Sequence, residues 1–396
     1  MSEWQTFCLK DLGKIVGGAT PSTNNPKNYG NKIAWITPKD LSTLQGRYIK
    51  KGSRSISRLG FKSCSCVLLP KHAILFSSRA PIGYVAIAKK RLCTNQGFKS
   101  IIPNKKIYFE FLYYLLKYHK DNISNIGGGT TFKEVSGATL GLFKVEIPPT
   151  YYEQQKIART LSVLDQKIEN NHKINELLHK ILELLYEQYF VRFDFLDENN
   201  KPYQTSGGKM KFSKELNRLI PSGWSVRFLN HKIVSTYQPK TISKTLLNDS
   251  YSYSVYGGGG IIGRFTEYNH EQSEFIISCR GQCGISYLTL PKSWITGNAM
   301  VIRPTKSYTS KTYLYHTIKK YKLTNYITGS VQPQITRQNL STMPILIPKR
   351  KTLNKWNNIS SLLWNLIHNN MQSTQTLTAL RDFLLPLLLK QQVKPK

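Results

Sequence analysis

Acid–base, nucleophilic and metal chemistry each need particular side chains at particular spacings, and this sequence supplies few of them. Its eight histidines include no His-x-x-x-His pair, and His172 and His179 fall on the polar flank of a long helical pattern, where a solvated position is expected. Cys64 and Cys66 are separated by one residue and Cys279 and Cys283 by three, without a second ligand pair at zinc-finger spacing. Small buried thiols are the expected reading, and no metal site is assigned. The stretch "VYGGGGIIGRF" (255–265) lacks the Gly-Lys-Ser/Thr of a phosphate-binding loop and reads as a glycine turn feeding a strand. No Asn/Asp-Pro-Pro-aromatic motif for methylating a flipped base is present, and the 22 acidic residues form no obvious carboxylate pair for a metal-dependent nuclease. No catalytic residue is therefore assigned, and the chain reads as a binder.

The chemistry that is abundant is cationic and amide. Lys and Arg number 56 against 22 Asp and Glu, a net charge of +34. Residues 1–150 hold 23 basic and 7 acidic side chains, and residues 201–350 hold 21 and 5, each block a net +16. Residues 151–200 are a net −3 and residues 351–396 a net +5. Such a surplus repels itself, and a polyanion is the partner that relieves it. Lys and Arg would displace counterions from phosphates, while a few Arg, Gln, Asn, Ser or Thr side chains would reach base edges in the major groove. In the first block the turns offer Arg54, Arg58 and Lys62, then Thr130, Thr131 and Lys133 in "GGGTTFK". In the second, "GSVQPQITRQN" offers Gln332, Gln334 and Arg337, with Arg264 in the glycine-rich turn. Gln can bridge adenine bidentately, which singles out Gln332 and Gln334. Arg79 and Arg280 match between the blocks, so a structural or phosphate-directed role is expected of them rather than base reading.

The elements that must position these loops repeat. "VSGATLGLFKVEIPP" from Val135 matches "ITRQNLSTMPILIPK" from Ile335, and "ILFSSRAPIGYVAI" matches "FIISCRGQCGISYL", sharing Arg79/Arg280 and Gly83/Gly284. Trp4 and Trp224 open the two copies. Short apolar runs broken by Gly, Pro and Asn read as strands. Each copy leads into a long helical pattern with a 4–3 apolar beat. In the first, Leu161, Leu164, Ile168, Leu178, Leu182 and Leu185 form a seam interrupted by Asn171 and Asn175. In the second, Leu363, Leu366, Leu377, Leu380 and Leu384 recur at an offset of 202, with Ser373 opposite Asn171 in the alignment. A seam needs a partner, and the two are expected to pack as an intramolecular antiparallel pair. Thr150 and Glu153 form a capping box before the first helix, the second starts near Thr352, and Pro386 is expected to kink it.

The expected fold is α+β: two β-rich domains in tandem, separated by two long antiparallel coiled-coil helices, an internal pseudo-two-fold repeat. The expected boundaries are 1–149 for the first domain, 150–195 for the central helix, 196–222 for a polar linker, 223–350 for the second domain and 351–390 for the C-terminal helix. A helix of roughly 35–40 residues is a bar of about 55–60 Å, holding two reading heads apart like a caliper. With neither a signal-peptide pattern nor a membrane-spanning run, a cytoplasmic location is expected.

The sequence resembles the specificity subunit of a type I restriction–modification system. The likeness covers essentially the whole chain. It rests on "WITPKDLS", on "TNQGFKSIIP", on the Ile-Pro-Pro and Glu-Gln-Gln-x-Ile-Ala run entering the first helix, and on "RFDFLDENNKPYQTSGGKM" followed by "IPSGWSV". The second copy departs from it with "IPKRKTLNKWNNIS" where the first has Glu-Gln-Gln. The resemblance implies a non-catalytic DNA-recognition subunit whose two target-recognition domains each read half of a bipartite double-stranded site. It implies that the helices set the gap and dock methyltransferase subunits, and that motor/endonuclease subunits join to cleave. S-adenosylmethionine, ATP and Mg²⁺ would reside on those partners. Two alternatives stand beside it: a general basic architectural DNA- or RNA-binding protein, and a single-chain nuclease or methyltransferase with unrecognised motifs.

Overall fold

The structure, a computed structural model, describes residues 3–79, 81–128, 133–329 and 331–395. It divides into two compact units, Met1–Lys173 with Asn370–Lys396, and Ile174–Asn369. Each unit therefore owns one part of each long helix, the central helix Tyr151–Tyr186 and the C-terminal helix Arg350–Leu389.

In the first unit the strands Gln5–Cys8 and Lys144–Ile147 pair antiparallel and close the β-rich region at its ends. A five-stranded sheet runs in the order Gly13–Gly17, Lys99–Pro103, Ile74–Phe76, Val85–Ala88 and Tyr48–Ile49. A second sheet places Tyr29–Ile36 between Arg54–Ile56 and Cys93–Thr94, the last pairing parallel. Helix Phe109–Tyr118 buries Phe111 to Leu116 without a break, as a helix does when it is covered on all sides. One side of its cluster is sheet, with Ile74, Phe76 and Ile101. The other is the helix pair, with Ile157, Leu161, Leu385 and Leu388.

The second unit repeats this plan. Ser225–Phe228 pairs with Pro344–Ile347, and a four-stranded sheet runs Val234–Tyr237, Ala299–Pro304, Phe275–Ser278, Ser286–Leu288. A three-stranded sheet places Tyr253–Gly257 between Gly260–Phe265 and Trp294–Ile295, again with the last strand parallel. Helix Lys311–Lys319 buries Thr312 to Ile318. Strand for strand the order matches the first unit, which adds the edge strand Tyr48–Ile49.

Several expectations need correction. The segment read as a polar linker carries a β-hairpin, Met210–Ser213 with Arg218–Pro221. Beside it Phe195 stacks between Tyr203 and Trp224, at centroid distances of 4.9 and 5.2 Å. Aromatic residues sparse in the sequence converge there, which a reading by mean polarity misses. The central helix ends at Tyr186 and passes into a wider π-turn, Glu187–Val191. The C-terminal helix starts at Arg350 and continues through Pro386 to Leu389. Among the described residues no helix is long and apolar enough to cross a membrane.

Candidate nucleic-acid interface and helix pair

The best-matched feature of the two units is a loop that presents an arginine. In the first, the Ser77 hydroxyl donates to the Pro81 carbonyl at 2.8 Å and accepts from the Tyr84 amide at 2.8 Å. In the second, Ser278 donates to Gln282 at 2.6 Å and accepts from Ile285 at 2.9 Å. Gly83 and Gly284 close the loops with φ of +101° and +89°, a backbone region that a β-carbon disfavours. Arg79 and Arg280 stand on these loops, and each forms an antiparallel bridge to the segment before the last strand, to Glu134 and Gln334 respectively. The shared Arg and Gly were legible in the sequence. The serine that ties the loop was not, because Ser is common and its role appears only when the loop closes on it.

The other candidates differ in availability. Arg54 lies in a strand, not a turn, with its guanidinium 4.0 Å over the Tyr29 ring. Arg58 and Lys62 bound a short helix rather than a turn, and both are exposed. Lys133, Gln332, Gln334 and Arg337 are exposed, Arg337 at the start of the helix Arg337–Ser341. Thr130 and Thr131 lie outside the described residues. Arg264 is displaced from its expected role: it sits in the strand Gly260–Phe265 and donates to the carbonyls of Tyr251 and Ser252, so its guanidinium is tied to its own fold. The glycines before it make the strand–turn–strand expected of them.

The long helices meet within each unit. In the first, Asn171 donates to Ser373 Oγ at 3.3 Å, Thr374 Oγ1 at 3.2 Å and the Asn370 carbonyl at 3.4 Å. Toward its other end Arg381 pairs with Asp165 at 2.8 Å, and Tyr114 donates to the same carboxylate at 2.6 Å. Burial opposes the Arg381 charge, but Asp165 outweighs it and holds the guanidinium protonated. In the second unit Asn175 donates to the Ile367 carbonyl at 3.3 Å, and His179 packs edge-on against Trp364 at 5.1 Å. Residue numbers rise on one helix as they fall on the other, so both pairings are antiparallel, and the asparagines that interrupt the seam bridge it.

The first seam is buried or half-buried at Leu161, Leu164, Ile168, Leu178, Leu182 and Leu185. The second needs a shift. Leu363, Leu377 and Leu384 are half-buried, but Leu366 and Leu380 are exposed, and Trp356, Trp364, Ile367, Leu385 and Leu388 do the burying. The 4–3 beat favoured leucines and passed over Trp and His, which fill the larger space beside helix Lys311–Lys319. His179, expected in solvent, belongs to this aromatic packing.

The leucines left outside form a face of their own. In the second unit Ile174, Leu177, Ile181 and Leu184 on the central helix are exposed, as are Ile359, Leu362 and Leu366 on the C-terminal helix. Each stripe lies about one residue before the buried seam of its helix. In an antiparallel pair that rotation turns both stripes to the same side, so they make one apolar face. In the first unit Val163, Leu380 and Phe383 are exposed.

Two copies of one basic α+β unit, each built around a share of two long helices, define the class: an internally duplicated α+β protein. The sequence profile described as the type I restriction modification DNA specificity domain matches residues 1–180 and again 221–380. The chain is 33% identical over 423 aligned residues to the type I restriction enzyme MjaIX specificity subunit of Methanocaldococcus jannaschii, covering 98% of this chain and 92% of that one. It is 30% identical over 191 residues to the HindI specificity subunit of Haemophilus influenzae, covering 46% and 40%. Its fold resembles the S subunit of a type I restriction–modification system from M. genitalium, with a TM-score of 0.61 at 18% identity over 98% and 96% of the two chains. The chain belongs to the type I restriction–modification DNA specificity family.

Proposed function

We propose that each unit reads one half of a bipartite double-stranded DNA site, and that this chain makes no chemical change in the DNA itself. The observation that carries the reading is the repeated arginine loop, tied by the same serine and backbone pairing in two units from blocks of net charge +16. Two equivalent heads on one chain suit a target in two parts. Arg79, Arg280, Arg58, Lys62, Lys133 and Arg337 supply phosphate contacts, and exposed Gln332 and Gln334 supply base contacts. The apolar face on the helix pair supports docking of methyltransferase subunits, since a face of seven aliphatic side chains favours a protein partner over water. The helices then set the gap between half-sites. S-adenosylmethionine, ATP and Mg²⁺ belong to the methyltransferase and motor/endonuclease partners, in the cytoplasm.

Sequencing the methylated positions in cells that carry this chain with its methyltransferase tests the reading. A split motif with a fixed gap is expected. Methylation without such a motif, or DNA cleavage or methylation by the purified chain alone, overturns it.

A further inference from the structure

Glu134 and Gln334 occupy one place in two copies of the unit. Each bridges its loop arginine on one side, and on the other each pairs with the residue six positions earlier, Gly128 or Thr328. The following amide donates to the arginine loop at 3.0 Å in both, Val135 to Ser78 and Ile335 to Cys279. With the backbone held alike, the chemical difference between the positions is a carboxylate against an amide.

The surroundings change with it. Glu134 lies 3.2 Å from the Lys99 ammonium and 3.6 Å from the Arg79 guanidinium. The strands Lys99–Pro103 and Ala299–Pro304 hold the same place in their sheets and end on Pro103 and Pro304, which sets Met300 where Lys99 stands. Among the described residues, the Gln334 amide and the Arg280 guanidinium have neither a hydrogen-bond nor an ion-pair partner. Lys99, Arg79 and Glu134 together carry +1, and Met300, Arg280 and Gln334 also carry +1. A carboxylate on a face that meets phosphates is repelled, and the extra lysine cancels that repulsion locally. What the carboxylate adds is hydrogen bonding of one sense only: it accepts, as the amino group of a cytosine requires, whereas an amide both donates and accepts, as adenine requires.

We propose that 134 and 334 are the equivalent base-reading positions of the two units, Glu134 accepting from a cytosine amino group in one half-site and Gln334 bridging an adenine in the other. This rests on the reading that each unit contacts DNA. The test uses the full chain expressed with its methyltransferase, as wild type, Glu134→Gln, the charge-balanced Lys99→Met/Glu134→Gln, and Gln334→Glu. Methylated positions are mapped by sequencing, and thermal unfolding of each chain checks folding. Both Glu134 variants are expected to change one base pair of one half-site, with the preference for the original base falling at least about fivefold. The gap and the other half-site stay as they are. Gln334→Glu does the converse. A split motif unchanged by all three variants overturns this inference and leaves the two-headed reading standing. So does loss of all methylation by a variant that unfolds like the wild type, because the effect is assigned to a single base pair. Wild-type methylation without a split motif overturns the reading beneath it.

Discussion

Acidification should loosen the second unit through two buried imidazoles. His316 lies between Tyr186, with ring centroids 5.5 Å apart, and Trp356, at 5.3 Å. His368 lies 5.8 Å from Trp364. Both rings are over nine-tenths buried, and neither Nε2 has a hydrogen-bond partner among the described residues. Burial, reinforced by Lys319, His179 and Lys320, pulls the His316 pKa down from 6.5 to about 3. Burial with Lys311 and His179 pulls that of His368 down to about 4. The folded state thus holds both rings neutral while the unfolded chain takes up protons below pH 6.5. Stability is full above that value, declines as pH falls through it, and stops declining once pH passes the folded pKa values. At pH 5 each ring costs about 2 kcal/mol relative to pH 7.5, so the pair costs about 4 kcal/mol, a large share of a typical domain's stability. Urea unfolding followed by tryptophan fluorescence at pH 7.5, 6 and 5 measures this, because Trp356 and Trp364 sit beside the two rings. The midpoint should fall steeply in the wild type. In His316→Phe/His368→Leu it should fall far less, even if that variant starts from a lower stability. Equal pH slopes for the two proteins refute the argument.

Three further outcomes concern the Arg381–Asp165 pair, the second arginine loop and the long helices. Arg381→Met leaves the Asp165 carboxylate buried without its guanidinium and should destabilise the first unit by about 3–5 kcal/mol, whereas Arg381→Met/Asp165→Asn should recover much of the loss in thermal unfolding. Arg280→Ala should lower the slope of log K against log salt for DNA binding by about one phosphate contact, read by fluorescence anisotropy at several salt concentrations; an unchanged slope removes Arg280 from the phosphate contacts. Inserting four residues into each long helix lengthens it by about 6 Å, close to two base-pair steps of ~3.4 Å, so the mapped gap should widen; an unchanged gap rules the helices out as its ruler.

Much of the architecture was legible because it is written in local pattern. The 4–3 beat, the Thr150–Glu153 pair at the helix start and the offset repeats each follow from residue spacing, and Thr150 Oγ1 accepts from Glu153 N at 3.2 Å while donating to Glu153 Oε2 at 2.9 Å. The proposed binding surface was legible only in part. The match between the copies pointed to Arg79 and Arg280, and turn chemistry to Gln334, but neither pointed to Glu134 or Lys99, because an acid in a basic block shows its surroundings only when the fold places two cations on it. Arg264 shows the reverse: in sequence it is a free cation in a glycine turn, and in the fold its donors are spent on two carbonyls.

What this sequence determined by itself was duplication, charge and periodicity, properties that depend on composition and spacing along the chain. Tertiary structure alone decided which helix face is seam and which is exposed, since Trp364 and Ile367 outcompete Leu366 for the space against the neighbouring helices. It also decided that Glu134 and Gln334, which directly precede the aligned Val135 and Ile335, each pair with an arginine loop, because that backbone pairing joins residues more than fifty positions apart. Short-range pattern sets what an element is; long-range packing and pairing set what each of its side chains faces.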